Sequence, residues 1–372
     1  MSSFSTEPPA PDVFEVSLFG PGKGESVVVH LGARRWIVVD SCRNQRTRVA
    51  AALDYLRGIG ADLTTEVLTV VATHAHDDHF DGIAEVVEAC PAATIVTSHA
   101  LMNREFFALV EAERDIAGIT NTAAYREYRR IFEIIEQRRK STGKMPGRLA
   151  EENKVLLNLP ASGEAPPVKV TALSPSEYGV VRAREALAKD QLFRLGERTR
   201  RSVYDPNEAS VALWVSSGTV NVLLGADILK GPAGCGWGAV LESSFSPPEP
   251  ATLYKAAHHG SKTSHHDGLW SDLLGDGPTV LIAPFRLGSI SVPSGDEAAY
   301  FTDRTAEVFI TSPRSPTPSK AFKREVAKLG SLAKNARDPY GIIGHLRARV
   351  PLAGGAWQVE KFGPAAQLGI SK

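Results

Sequence analysis

Val67-Leu68-Thr69-Val70-Val71-Ala72 runs directly into Thr73-His74-Ala75-His76-Asp77-Asp78-His79-Phe80-Asp81-Gly82. The first six residues are an apolar run of strand length, the pattern of a central strand buried on both faces. The polar burst that follows puts three histidines and two carboxylates within six residues. In an extended loop His74 and His76 point the same way, because side chains alternate with period two. Asp78 and His79 come where the chain turns toward a helix, so they can face a point beside the first pair. Imidazoles with a hard carboxylate suit Zn²⁺, Mn²⁺ or Fe, and an open coordination position leaves room for water. The chain holds 10 histidines in 372 residues, so three in one short window is not the composition of an ordinary polar loop.

Outward from this stretch, 83–90 has helical spacing and 93–97 reads as another strand. Strand, polar loop, helix, strand is an α/β layout, whose ligands bind beyond the carboxyl ends of strands. Upstream, 13–19, 26–31 and 36–39 open the chain as a β-meander. A helix over 45–59 follows, with Val49, Leu53 and Leu56 on one face and Gly60 as its stop. Downstream, 102–206 reads as a mainly helical insertion: two charged helical segments divided near Gly118, a strand at 168–173, and a helix over 176–193. A basic run, Arg198-Thr199-Arg200-Arg201, follows. Strand signals resume at 210–215 and 219–224, joined as a hairpin around Gly218. Further strands are expected at 252–256, 279–283, 308–311, 341–347 and 357–361, with a helix over 319–329. The whole of 1–372 is expected to form one domain around this insertion.

Composition narrows the class. At 43% hydrophobic and 23% charged the chain can bury a substantial core, which excludes wholesale disorder. Its 42 basic and 42 acidic side chains cancel, against a generally basic nucleic-acid coat protein. Arg129, Arg130, Arg138, Arg139 and Lys140 interleave with Glu133 and Glu136, as on a solvated helix face. Cys42, Cys90 and Cys235 are odd in number and widely spaced, so no disulfide framework is expected, and Cys42 reads as a buried thiol. The first residues lack the pattern of a signal peptide and no apolar run is of membrane length, so no membrane partner and a cytoplasmic location are expected.

Two further clusters end apolar strands with chemistry-bearing residues. Leu223-Leu224-Gly225-Ala226-Asp227 delivers a carboxylate suited to bridging two cations. Ala256-Ala257-His258-His259-Gly260-Ser261 delivers imidazoles beside a glycine. Together with His74, His76, Asp78 and His79, these residues resemble the metallo-β-lactamase fold superfamily and its HxHxDH motif. The resemblance implies an α/β (α+β) four-layer αββα sandwich with a helical insertion within it. It matches Asp40, at the end of 36–39, to an acidic residue that supports the ligands, Asp227 to the bridging carboxylate, and His258 to the last histidine ligand. The motif wording is similar to the hydrolase domain of ComEC-type DNA-uptake proteins: the Gly20–Ser26 turn, Asn207 with Ser210 and Val211, and His258 to Ser264. It also resembles soluble relatives linked to bacterial anti-phage loci. The superfamily usually supplies a third histidine to its first metal; between His79 and Asp227 this sequence has only His99.

The function expected is metal-dependent hydrolysis by a metal-activated hydroxide, on phosphodiesters as in a nuclease or phosphodiesterase. The cofactors expected are two divalent ions, Zn²⁺ first, with Mn²⁺ or Fe as alternatives. Two such ions outweigh Asp78 and Asp227, which favours an anionic substrate, nucleic acid among the candidates. Asp78 and Asp40 join His259 as catalytic candidates; His259 or His265 can protonate a leaving oxygen. Ser261, Lys262 and Ser264 are the candidate substrate-binding donors. Lactone or thioester hydrolysis on the same fold is one alternative, and a metal-poor scaffold or sensor subunit is the other.

Overall fold

The structure, a computed structural model, describes residues 6–20, 23–44, 47–101, 123–163, 165–196, 205–287, 289–313 and 343–369. Among these, two eight-stranded sheets carry the architecture. In spatial order the first holds β17 (Gln358–Phe362), β16 (Gly344–Pro351), β1 (Val13–Gly20), β2 (Ser26–His30), β3 (Trp36–Val39), β4 (Val67–Ala72), β5 (Thr94–Ser98) and β6 (Gly147–Ala150). The second holds β18 (Ala366–Gln367), β15 (Val308–Ile310), β12 (Leu274–Ile282), β11 (Ala251–Lys255), β10 (Val220–Leu224), β9 (Leu213–Ser217), β8 (Val168–Ala172) and β7 (Lys154–Leu159). A separate hairpin pairs β13 (Phe285–Leu287) with β14 (Ile290–Val292). The β1–β2–β3 start is the expected meander, and β3 to β6 then run parallel.

Period two explains why these strands are apolar throughout. Val27, Val29, Ile37 and Val39 face the second sheet, where Val170, Val215, Val222 and Leu281 meet them. Their neighbours Val28, Trp36 and Val38 face outward into a layer of helices instead. That layer holds α1 (Ala51–Gly58), α2 (Asp77–Phe80), α3 (Ile83–Ala89) and α4 (Ala123–Thr142). Leu53, Leu56, Val86, Tyr128 and Ile131 are its buried anchors, each contributing about 1.5–3 kcal/mol by leaving water. After α5 (Glu177–Gly196), the helices α6 (Gly236–Glu242), α7 (Gly268–Asp272) and α8 (Gly295–Thr302) follow. Trp237, Leu269 and Phe301 from these last three cover the outer face of the second sheet. Helix, sheet, sheet, helix is the expected αββα sandwich.

The segment 102–206 departs from expectation. Expected as a mainly helical insertion with one strand, it also supplies sheet edges: β6 finishes the first sheet, while β7 and β8 begin the second. The crossover between the two halves lies here, with α4 and α5 packed around it. β6 and β7 were not expected because Gly147, Arg148, Lys154 and Asn158 dilute their apolar pattern at sheet edges. β9 begins at Leu213 rather than near 210, because Pro206–Ala209 forms a 3₁₀ turn capped by Asp205, which accepts from the Asn207 N–H. The expected helix over 319–329, the first helical segment after 102 and the basic run 198–201 lie outside the described residues. Of the other basic residues, Arg129 pairs with Glu133 at 3.6 Å, Arg130 with Glu88 and Arg139 with Glu136 at 2.9 Å. They form a solvated helix face. All three cysteines are free and buried. No described helix is long and apolar enough to cross a membrane.

Candidate metal centre

The carboxyl ends of β3, β4, β10 and β11 converge at one edge of the sandwich. β3 ends in Asp40, whose left-handed backbone (φ 56°) turns its carboxylate inward. There it accepts from the Thr73 N–H at 2.8 Å, the Thr73 hydroxyl at 2.7 Å and His79 Nδ1 at 2.7 Å. With its proton given to Asp40, the Thr73 hydroxyl accepts from His74 Nδ1 at 2.9 Å. One buried carboxylate therefore fixes the tautomer of two histidines, and both present Nε2 as a lone pair.

β10 ends in Asp227, and the loop after β11 brings His258 and His259. Gly225 permits this approach: a Cβ there would lie 2.7 Å from the Ala257 Cβ and 2.9 Å from its nitrogen. His259 donates Nδ1–H to the Ala283 carbonyl at 2.9 Å and turns Nε2 to Asp78 at 3.1 Å and Asp227 at 3.5 Å. Asp227 also lies 3.2 Å from His79 Nε2 and 3.7 Å from His74 Nε2. Among the described residues, beside a third group of Asp40, His74 and His79, two overlapping groups of candidate donor atoms result: His74, His76 and Asp227 on one side, and Glu25, His79, Asp227 and His259 on the other. Asp227 belongs to both.

These residues fit a divalent cation. His74 Nε2, His79 Nε2 and Asp227 Oδ1 are buried without a hydrogen-bond partner, a costly state for a donor set aimed at nothing. The Asp227 separations of 3.2–3.7 Å from His79, His259 and His74 are those of ligand atoms able to share an ion. The electrostatics agree. Burial raises the Asp227 carboxyl, but His79, His259 and His74 outweigh it and hold the group well below its usual range. Burial first, then the neighbouring His79 and His76, drive His74 well below its ordinary value despite Asp227 and Asp78, so that ring is neutral. For His79 the effect of burial is overcome by Asp227, Asp40 and Glu25, which push its pKa well above normal. The carboxylates demand positive charge at these nitrogens, which a proton or a metal ion supplies. The cluster is capable of binding divalent metals.

Residues 19–273 match the family model of the metallo-beta-lactamase superfamily. The chain belongs to that superfamily. The matched span holds Asp40, the His74–His79 motif, Asp227 and the double histidine. No curated protein matches the sequence. Among solved structures, the metallo-beta-lactamase fold protein YhfI from Bacillus subtilis is similar at 14% identity, covering 82% of this chain and 98% of its own, with a TM-score of 0.37. The human short-form tRNase Z is similar at 12% identity over 78% and 90%, with a TM-score of 0.31. Zn²⁺-bound PqqB from Methylobacterium extorquens is similar at 10% identity over 62% and 58%, TM-score 0.31.

The structure places the expected site residues at different distances from this cluster. His259, read as a proton donor, aims Nε2 at Asp78 and Asp227 and falls in the group with Glu25, His79 and Asp227, which His258, expected as the last histidine ligand, does not join. His258 lies beside the cluster, with Nδ1 2.8 Å from the Thr263 hydroxyl and Nε2 3.4 Å from Asn207 Nδ2. Ser264 is not a substrate donor: its buried hydroxyl donates to the Ala257 and Ser261 carbonyls and braces the loop. His265 is likewise occupied, bonded to the Gly260 carbonyl at 3.0 Å and stacked on Tyr300. Ser261 lines a cleft of about 300 Å³ together with His76, Asp78 and Asp227, while Lys262 is exposed beside it. His99 is tied to Glu151 at 2.6 Å and joins none of the clustered groups. Cys42 is buried, and its thiol is pushed well up by burial.

Sequence reading missed Glu25 and Lys255. Both are fully buried behind the cluster and paired with one another, and Glu25 lies 3.8 Å from His79 and 3.5 Å from His259. A lysine closing an otherwise apolar strand was the one available signal.

Proposed function

We propose that this chain is a metal-dependent phosphodiesterase with two divalent cations, Zn²⁺ or Mn²⁺, at the strand ends. One observation carries the reading: a single buried carboxylate, Asp227, with His74 on one side and His79 and His259 on the other, every one of these rings presenting Nε2. Bound there, divalent cations would act as Lewis acids and bring the pKa of water from about 15.7 toward 7. Asp40 and Thr73 hold His79 and His74 in the tautomers this requires. Asp78 and Asp227 neutralise only part of the charge of two such ions, which favours an anionic group in the cleft. Ser261 offers a hydroxyl whose proton has only a long 3.5 Å contact, to Glu297, and Lys262 adds a positive charge on the same turn. The likeness of the motifs to ComEC-type hydrolase domains supports a nucleic-acid substrate.

A second reading has its own observation. Phe285, Ile290 and Val292 form an apolar wall of the same cleft, which suits the acyl part of a lactone or thioester. The deciding experiment offers metal-loaded protein bis(p-nitrophenyl) phosphate, an aliphatic lactone and an acyl thioester, with Zn²⁺ and with Mn²⁺. Phosphodiester cleavage that His76→Ala and Asp227→Ala both abolish is expected. Rapid lactone cleavage with an untouched phosphodiester would reverse the choice, and purified protein that takes up no metal would leave only a scaffold.

A further inference from the structure

Behind the cluster two charged side chains meet across the sandwich. Glu25 stands immediately before β2 in the first sheet, Lys255 closes β11 in the second, and the two form a fully buried ion pair. We infer that Lys255 is a positioning residue for the metal centre: through Glu25 and the Ala226 carbonyl it sets His79, His259 and Asp227 relative to one another. The inference rests on the metal-dependent reading above and is independent of the substrate.

The place of Glu25 decides its part. Its Oε1 lies 3.8 Å from His79 Nδ1 and its Oε2 3.5 Å from His259 Nδ1. Both rings turn their other nitrogen, Nε2, to Asp227, at 3.2 and 3.5 Å. Glu25 therefore stands behind an ion held at Nε2 rather than among its ligands. Each Nδ1 already has a nearer acceptor, Asp40 at 2.7 Å for His79 and the Ala283 carbonyl at 2.9 Å for His259. Glu25 adds a negative charge behind both rings at once, and its Oε2 is buried with no hydrogen-bond partner of its own. A carboxylate so placed makes imidazoles stronger donors and fixes their orientation.

Lys255 holds that carboxylate, and its Nζ also donates to the Ala226 carbonyl at 3.2 Å. The same carbonyl accepts the His258 N–H at 2.8 Å. Ala226 is itself left-handed (φ 41°) and directly precedes Asp227. On the other side, the Glu25 N–H donates to the Asp78 carbonyl at 2.9 Å. Gly24 is pressed against that carbonyl as well: a Cβ there would lie 2.7 Å from its oxygen. One buried pair thus ties together the three segments that carry the donor atoms, the His74–His79 motif, the Asp227 turn and the double histidine.

Stability does not account for the pair. Two charges taken out of water gain little over apolar side chains of similar volume, which would join the sheets as well or better. Apolar side chains could not put a negative charge behind two imidazoles or a charged donor on the Ala226 carbonyl.

The test separates fold stability from metal affinity. Zn²⁺ affinity of the metal-stripped chain is read by isothermal titration, and its metal-free stability by urea unfolding. The visible bands of the Co²⁺-loaded protein report the ligand geometry. Lys255→Met strands a buried carboxylate and should lower both the urea midpoint and the affinity. Adding Glu25→Gln removes the stranded charge. The midpoint should then return to the parent value or above, while affinity stays about 10–100-fold below it and the Co²⁺ bands remain shifted. Recovery of affinity together with the midpoint would overturn the inference, because the pair would then be a structural tie alone. If the double variant does not fold, Glu25→Gln by itself decides, since it keeps the shape and an acceptor for Lys255. A loss of more than about tenfold in Zn²⁺ affinity is expected there, and the parent affinity would overturn the inference. No substrate is present, so a metal-binding chain that spares phosphodiesters would sink only the substrate reading. A parent chain that takes up no metal would end both.

Discussion

Asp40 is the residue on which the histidine geometry turns. Its two oxygens receive three donors, and two of those bonds decide which nitrogen of His79 and of His74 is bare. Asparagine there would keep the shape but present an amide N–H to two other donors. His79 would then have to move its proton to Nε2, the nitrogen that faces Asp227. Asp40→Asn should therefore fold and yet bind Zn²⁺ about 10–100-fold more weakly, as isothermal titration of the metal-stripped protein would show. At this scale the HxHxDH residues, Asp40 and Asp227 were legible, because period-two alternation and strand-end position are local facts. Glu25 and Lys255 were not: 230 residues separate them, and a single charge inside an apolar strand declares its role only when its partner strand is known. The choice between His258 and His259 was equally hidden, since two successive left-handed residues break the alternation from which the choice would be read.

Among elements, the end of β10 lies tight against the loop after β11 at the centre. His258 donates its N–H to the Ala226 carbonyl at 2.8 Å, and Gly225 lies against Ala257. A methyl group at Gly225 must push apart the pieces that carry Asp227 and His259. Gly225→Ala should cost about 1–3 kcal/mol in metal-free urea unfolding and lower cation affinity as well. A variant with ordinary affinity would show that the approach at this position is not needed. Elements buried on both faces, such as β2, β3 and β4, were legible from their unbroken apolar runs. β12 was foreseen only over its last half, since Gly275, Gly277 and Pro278 mask strand character. The β13–β14 hairpin was invisible because Gly288 and two serines dilute a short apolar pattern.

For the molecule as a whole, acid stability depends partly on a histidine outside the candidate metal centre. His30 is buried between the Val13 carbonyl, 2.8 Å from Nδ1, and the Arg34 N–H, which donates to Nε2 at 3.1 Å. Burial lowers its pKa to about 4, against 6.5 in the unfolded chain. Between those values the unfolded chain binds the proton and the folded one does not, so stability falls as pH falls. The contribution approaches about 3 kcal/mol near pH 4. Glutamine can accept from Arg34 and donate to Val13 without titrating. The stability difference between the parent and His30→Gln, followed by chemical denaturation from pH 7 to 4.5, should therefore shift steadily against the parent. A constant difference would mean that His30 titrates normally in the fold.

The order of strands has one more effect. Two wide sheets should expose long rows of unpaired amides and carbonyls along their rims, an invitation to self-stacking. On one side the tail of the chain forestalls this. β17, studded with Glu360 and Lys361, trims the first sheet, and the two-residue β18 closes the second. A protease nick near Gly354 would cut both trims from the rest of the chain, and their loss would leave two unpaired borders open to pairing with a second copy.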